Sequence, residues 1–126
     1  MKVCKRLFSV VLAGVSLFLI AGDPSPVQAE DTIKIGEINS YTRLPAFTEP
    51  YKKGWKLAVE QINNSGGLLG RKLEVISRDD AGKPGNAVKI AEELVSKEKV
   101  ALLAGTFFSH IGLAVTDFAK QRKVLF

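Results

Sequence analysis

The spacing of apolar and polar residues changes several times along the chain, and each change marks an element. Residues Leu7 to Ile20 form a largely apolar run behind Lys2, Lys5 and Arg6. A basic segment followed by an apolar one is the layout of a secretory signal. The run also falls short of the ~20 apolar residues that a membrane span needs. Pro24 and Pro26 interrupt any continuing helix, and Val27-Gln28-Ala29 supplies small residues at an A-x-A-like cleavage site. These features predict a signal peptide over residues 1–29, cut before Glu30. Next, Thr32–Ile38 alternates apolar and polar positions with β-branched residues, the signature of a strand. A loop from Asn39 to Thr48 leads to Tyr51, Trp55, Ala58, Val59 and Ile62, which recur at helical spacing. They predict a helix from Pro50 to about Asn64, with Thr48 as its N-cap and Ser65-Gly66-Gly67 as its stop.

A second strand is predicted over Leu73–Ser77, followed by an Asp-, Gly- and Pro-rich turn over 79–85. Ala87, Ile90, Ala91, Leu94 and Val95 mark a second helix ending near Lys97. The continuous apolar run Val100–Ala104 fits a strand covered on both faces. A third helix follows from Ser109 to about Arg122, with Ile111, Ala114, Val115, Phe118 and Ala119 turned inward. Val124-Leu125-Phe126 reads as the start of a fourth strand. The β-α-β-α-β-α-β alternation predicts an α/β fold, a parallel doubly wound sheet with right-handed crossovers. Ending inside an apolar strand further predicts a fragment, one domain over 30–126 whose remainder lies beyond Phe126.

Composition sharpens this picture once the charges are located. The chain carries a net charge of +5, but the signal segment takes Lys2, Lys5, Arg6 and Asp23 with it, leaving 97 residues at +3. The remaining basic residues are interleaved with Asp and Glu instead of forming a stripe, so nucleic acid is not expected as a partner. Cys4, the only cysteine, precedes the apolar run and leaves with it, which excludes disulfides and thiol chemistry from the exported domain. No metal site and no cofactor is expected.

Ligands of doubly wound sheets bind beyond the carboxyl ends of the strands, where the winding reverses. With the first strand central, the crevice lies between strands one and three, lined by the loops 39–48 and 105–109. The candidate residues are therefore Ser40, Tyr41 and Phe47 from the first loop, and Thr106, Phe108 and Ser109 from the second. Ser109 and the first-turn amides of its helix suit an anion, while the rings wall an apolar group. The alternative is that Ser109 only caps its helix and the phenylalanines are core, a reading that weighs most for Phe107.

The stretches Ile33-Lys34-Ile35-Gly36 and Gly54–Asn63, the run Gly66-Gly67-Leu68-Leu69-Gly70-Arg71-Lys72-Leu73-Glu74, and Asp79-Asp80 resemble the N-terminal lobe of branched-chain amino-acid-type periplasmic binding proteins. The resemblance spans 32–126. It implies a periplasmic solute receptor of an ABC importer, for amino acids or related small carboxylates, working with permease subunits at the membrane and closing two lobes on its ligand. It places Ser109 on the serine that holds the ligand's α-carboxylate, Phe108 beside it in the pocket wall, and Phe47 on a first-loop position that is aromatic in some members. Two departures stand out. The first loop, Ser40-Tyr41-Thr42-Arg43-Leu44-Pro45, is about two residues longer than the family's usual run, and Phe107-Phe108-Ser109-His110 is bulkier than its usual small segment. Both turn the expected specificity toward larger or aromatic carboxylates.

Other readings rest on other residues. A secreted flavodoxin-like enzyme requires Asp79, Asp80 and His110, the only histidine, to converge. A sensor ectodomain of the same fold requires a membrane or signalling segment after Phe126. Gly66–Lys72 lacks the Gly-Lys-Ser/Thr ending of a phosphate loop. Asp79-Asp80 is expected to be a structural turn, Lys52, Lys53 and Lys56 a solvated face, and Trp55 core.

Overall fold

The computed structural model describes residues 32–126, so the signal segment read over 1–29 lies outside the described residues. The strands are β1 (Ile33–Asn39), β2 (Leu73–Asp79) and β3 (Leu102–Gly105). Between and after them run the helices α1 (Pro45–Asn64), α2 (Pro84–Ser96) and α3 (Ser109–Arg122). The order β2-β1-β3 is parallel throughout and places β1 at the centre. Ile33 of β1 pairs with Leu73 of β2, and Ile38 with Gly105 of β3.

Alternation along β1 sorts the molecule into layers. Gly36 and Ile38 face the side carrying α2 and α3, where a Cβ on Gly36 would meet Leu94, Val100 and Leu103. There the core forms: Ile38, Ala87, Ala91, Leu94, Val100, Leu103, Ile111 and Val115 are buried together. The helical stripes of α2 and α3 read from the sequence supply it, and an Arg122–Glu92 ion pair joins the two helices outside it. The other face carries α1. Its apolar stripe is less covered than the spacing predicts: Trp55 and Val59 are half-buried, while Tyr51, Ala58 and Ile62 are exposed. Asn63 fastens the end of this helix by donating from Nδ2 to the Leu73 carbonyl (2.9 Å) and accepting the Leu73 N–H at Oδ1 (2.8 Å).

β1 is shifted by one residue and β3 spans Leu102–Gly105 where Val100–Ala104 is expected; three further differences concern α1, β2 and the last residues. First, α1 begins at Pro45, and Pro50 lies inside it. Either proline suits a first helical turn; the earlier one starts the helix, and Leu44 occupies the N-cap position without a side-chain bond. Thr48 is therefore a buried helical residue whose hydroxyl donates to the Leu44 carbonyl (3.0 Å), not a cap. Second, β2 runs two residues further, through Asp79. Third, the expected fourth strand is a single parallel bridge between Leu102 and Leu125.

Candidate functional site

A crevice of about 390 Å³ opens at the carboxyl ends of β1 and β3, where the winding reverses. Its size falls in the range of small-molecule sites. Asn39 from β1 and Gly105, Thr106 and Phe107 from the end of β3 form one side. Phe47, Thr48 and Tyr51 of α1 form the other. The early start of α1 creates that wall, because residues 47, 48 and 51 share one helical face. The rings of Phe47 and Phe107 meet across the crevice at a centroid separation of 5.7 Å and an angle of 41°. Both are substantially exposed, Phe47 at 63% and Phe107 at 46%.

The backbone turn after β3 decides which phenylalanine enters. Gly105 (φ +103°) and Thr106 (φ +66°) both adopt left-handed backbone, which ends the strand's pleat. A Cβ on Gly105 would collide with the Ile38 carbonyl oxygen. Phe107 emerges into the crevice, and Phe108 packs against the core cluster. This reverses the expectation for the pair. The two rings stay in edge contact, 5.5 Å apart at 83°, and Phe108 lies 5.6 Å from His110.

Of the six candidate residues, Phe47 and Thr106 line the crevice. Ser109 is an exposed first-turn residue of α3 and stands outside the lining, as does Phe108. At this helix start Ile111 and Gly112 donate to the Phe108 carbonyl (3.0 Å each), while the N–H groups of Ser109 and His110 precede the helix's own acceptors. Tyr41 and Ser40 turn inward and do not reach the lining. Tyr41 is buried, with its hydroxyl donating to Glu37 Oε2 (3.0 Å) and accepting from Trp55 Nε1 (3.3 Å). Burial pushes its phenol up to about 12, and the Lys52 ammonium covers its ring at 4.5 Å. Ser40 is fully buried and donates to Asp80 Oδ1 (2.6 Å). Asn39, Thr48, Tyr51 and Phe107 were not among the candidates. Pro45 is the signal that locates Thr48 and Tyr51, and the strand end locates Asn39.

Asp79, Asp80 and His110 do not converge. Asp79 ends β2 and His110 lies in the first turn of α3 after β3, on opposite sides of β1, which separates them by roughly two strand spacings, ~10 Å. Both carboxylates are engaged in holding loops. Asp79 accepts the N–H groups of Thr42 (3.3 Å) and Ala81 (3.0 Å), and Asp80 Oδ1 also accepts the Gly82 N–H (2.7 Å). Among the described residues no group of three or more His, Cys, Asp or Glu side chains is placed to hold a metal ion.

Fold and crevice together define a parallel α/β lobe of the doubly wound class. The sequence model of the periplasmic binding protein family matches residues 32–126, and the chain belongs to that family. It is 32% identical over 122 residues to an amino acid binding protein of Pseudomonas aeruginosa, covering 96% of this chain and 32% of that protein. To the leucine-, isoleucine-, valine-, threonine- and alanine-binding protein of the same organism it is 36% identical over 107 residues, covering 84% of this chain and 28% of the relative. Among solved structures, the branched-chain amino acid transporter substrate binding protein LivJ of Streptococcus pneumoniae, in complex with isoleucine, superposes with a TM-score of 0.69 at 32% identity. That match covers 74% of this chain and 27% of the other. A solute binding protein of an ABC transporter from Rhodopseudomonas palustris, in complex with 3,4-dihydroxybenzoic acid, gives 0.68 at 33% identity over 75% and 26% of the two chains. The chain thus spans about a third or less of the length of its relatives.

Proposed function

We propose that the chain is the first ligand-binding lobe of a periplasmic receptor that delivers amino acids or related small carboxylates to an ABC permease, after export through the cleaved segment 1–29. The observation that carries this reading is the crevice itself: a small-molecule-sized opening at the winding reversal, in a fold whose relatives are named for binding amino acids. Binding requires no bond to be made or broken. The side chain of the ligand sits against Phe47, Tyr51 and Phe107, and its anion reaches past Phe107 to the start of α3, where the Ser109 hydroxyl and the Ser109 and His110 amides stand just outside the lining. Closure by a second lobe completes the enclosure, because small-molecule sites typically bury about 70–90% of the ligand's surface and an open crevice leaves much of it wet.

A second reading, an aromatic carboxylate as ligand, is favoured by the wall. Three exposed rings, Phe47, Tyr51 and Phe107, converge on one small opening and offer flat apolar surface. Titration calorimetry of the chain with isoleucine, leucine, benzoate and their uncharged amides tests both readings. Weak binding, on the order of millimolar, that disappears in the amides is expected. A stronger signal for benzoate selects the aromatic reading. Heats that ignore the carboxylate contradict the proposal, and micromolar binding by this chain alone contradicts the need for a second lobe.

A further inference from the structure

Beneath the crevice lies a carboxyl group that the binding reading does not use. Glu37 sits on β1, on the α1 side of the sheet, and is 2% exposed. Its Oε2 accepts two hydrogen bonds, from Ser77 Oγ of β2 (2.6 Å) and from the Tyr41 hydroxyl (3.0 Å). Because Tyr41 spends its proton on Glu37, its oxygen is free to accept the Trp55 indole N–H from α1. The donors run in one direction, Trp55 to Tyr41 to Glu37, and tie α1 to the centre of the sheet. Trp55 is one helical turn from Tyr51, so the same tie sets where the aromatic wall stands over the crevice.

The other oxygen, Oε1, is buried without a hydrogen-bond partner. It lies toward the crevice floor, 3.1 Å from the position a Gly105 Cβ would take. An ionised carboxylate with one bare oxygen is costly to bury, whereas a neutral acid leaves only an unpaired hydroxyl. The geometry matches the neutral form: Oε2 behaves as a carbonyl accepting two donors, and Oε1 is the atom with room for the proton. Asp80 Oδ2 is also unpartnered, but Asp80 lies beyond β2 among the loops it ties and away from the crevice lining.

We propose that Glu37 is a positioning residue for the crevice wall, holding a proton on Oε1 while Tyr41 and Trp55 are seated and releasing it when α1 loosens from the sheet. The groups facing it are Tyr41 from the loop, Tyr51 and Lys52 from α1, Ser77 from β2 and Asn39 from β1, while β3 presents no charged group there, only its register partner Ala104 and Gly105. Burial raises the carboxyl's hold on its proton, against the opposing influence of Ser77, Tyr41, Asn39 and Lys52. The sign agrees with the geometry: the seated arrangement binds the proton more tightly than a solvated one, so falling pH favours the seated wall. The effect on ligand affinity rests on the crevice being the binding site, but the tie itself does not.

The test needs no ligand. Trp55 is the only tryptophan, so its emission reports the tie directly. In the 126-residue chain followed from about pH 4 to pH 8, a transition is expected with its midpoint above 4.5, the ordinary value for the group. Glu37→Gln, which mimics the neutral acid, is expected to lose the transition and to emit at every pH as the unsubstituted chain does at the acid end. Tyr41→Phe, which cuts the relay and keeps the ring, is expected to lose it as well. His110→Gln controls for the only histidine and is expected to keep it. A transition that survives Glu37→Gln or Tyr41→Phe, one that vanishes in His110→Gln, or none in the unsubstituted chain overturns the proposal.

Discussion

At Gly105 the chain leaves β3 at φ +103°, where an added Cβ would meet the Ile38 carbonyl oxygen and Glu37 Oε1. Gly105→Ala therefore meets both a backbone penalty and a collision, and about 1–3 kcal/mol of stability is expected to be lost in urea unfolding. Phe107, two residues on, behaves oppositely. It is exposed, so Phe107→Ala is expected to change stability by no more than about 0.5 kcal/mol while weakening benzoate binding in calorimetry. An equal loss of stability and binding would contradict its placement in the wall. Asp79 supplies a pH signature. Burial pushes its carboxyl up, but the Thr42 hydroxyl and the backbone N–H groups of Ala81, Thr42 and Tyr41 outweigh burial and hold it below its ordinary 3.8. The stability it contributes is present above that ordinary value and is lost as pH falls through the lower, folded one. Asp79→Asn is expected to flatten this acid limb in denaturation curves recorded at successive pH values.

Among the elements, α1 carries the clearest test and the clearest contrast between sequence and structure. Asn63→Ala removes both bonds to the Leu73 backbone and leaves a buried N–H and C=O unpaired, at a cost of about 1–3 kcal/mol. Hydrogen exchange is expected to quicken along α1 and at the start of β2 and to change little in α2 and α3. The strands, α2 and α3 were legible in the sequence because their apolar positions are covered: a buried stripe fixes the period, and Ala87, Ala91 and Leu94 obey it. The start of α1 was not legible, since Pro45 and Pro50 are equivalent as local start signals and only the tertiary contact of Phe47 with Phe107 distinguishes them. Phe107 and Phe108 likewise exchange the places expected of them, core for Phe107 and pocket wall for Phe108. Two left-handed residues in succession reset the direction of the chain, and Thr106 has no glycine to announce the second. Tyr41, expected in the pocket wall, is buried instead, and its partners Glu37, Trp55 and Lys52 are distributed over two elements that no local pattern connects.

The described residues form a lobe with one well-packed side and one sparsely covered side. The core between the sheet, α2 and α3 is continuous, whereas α1 lies on the other face with much of its stripe in solvent. The crevice belongs to that sparsely covered side, walled by α1 and floored by the ends of β1 and β3. On the proposed reading, binding there is expected to be coupled to the seating of α1, through the Trp55–Tyr41–Glu37 tie. A titration of the ¹⁵N-labelled chain with isoleucine and with benzoate, followed by amide chemical shifts, tests the central claim most directly. Saturable shifts confined to Asn39, the first turns of α1 and the segment Gly105–His110 are expected. Shifts scattered over the surface, or gathered at the opposite end around Gly66–Arg71, would contradict the placement of the ligand between β1 and β3.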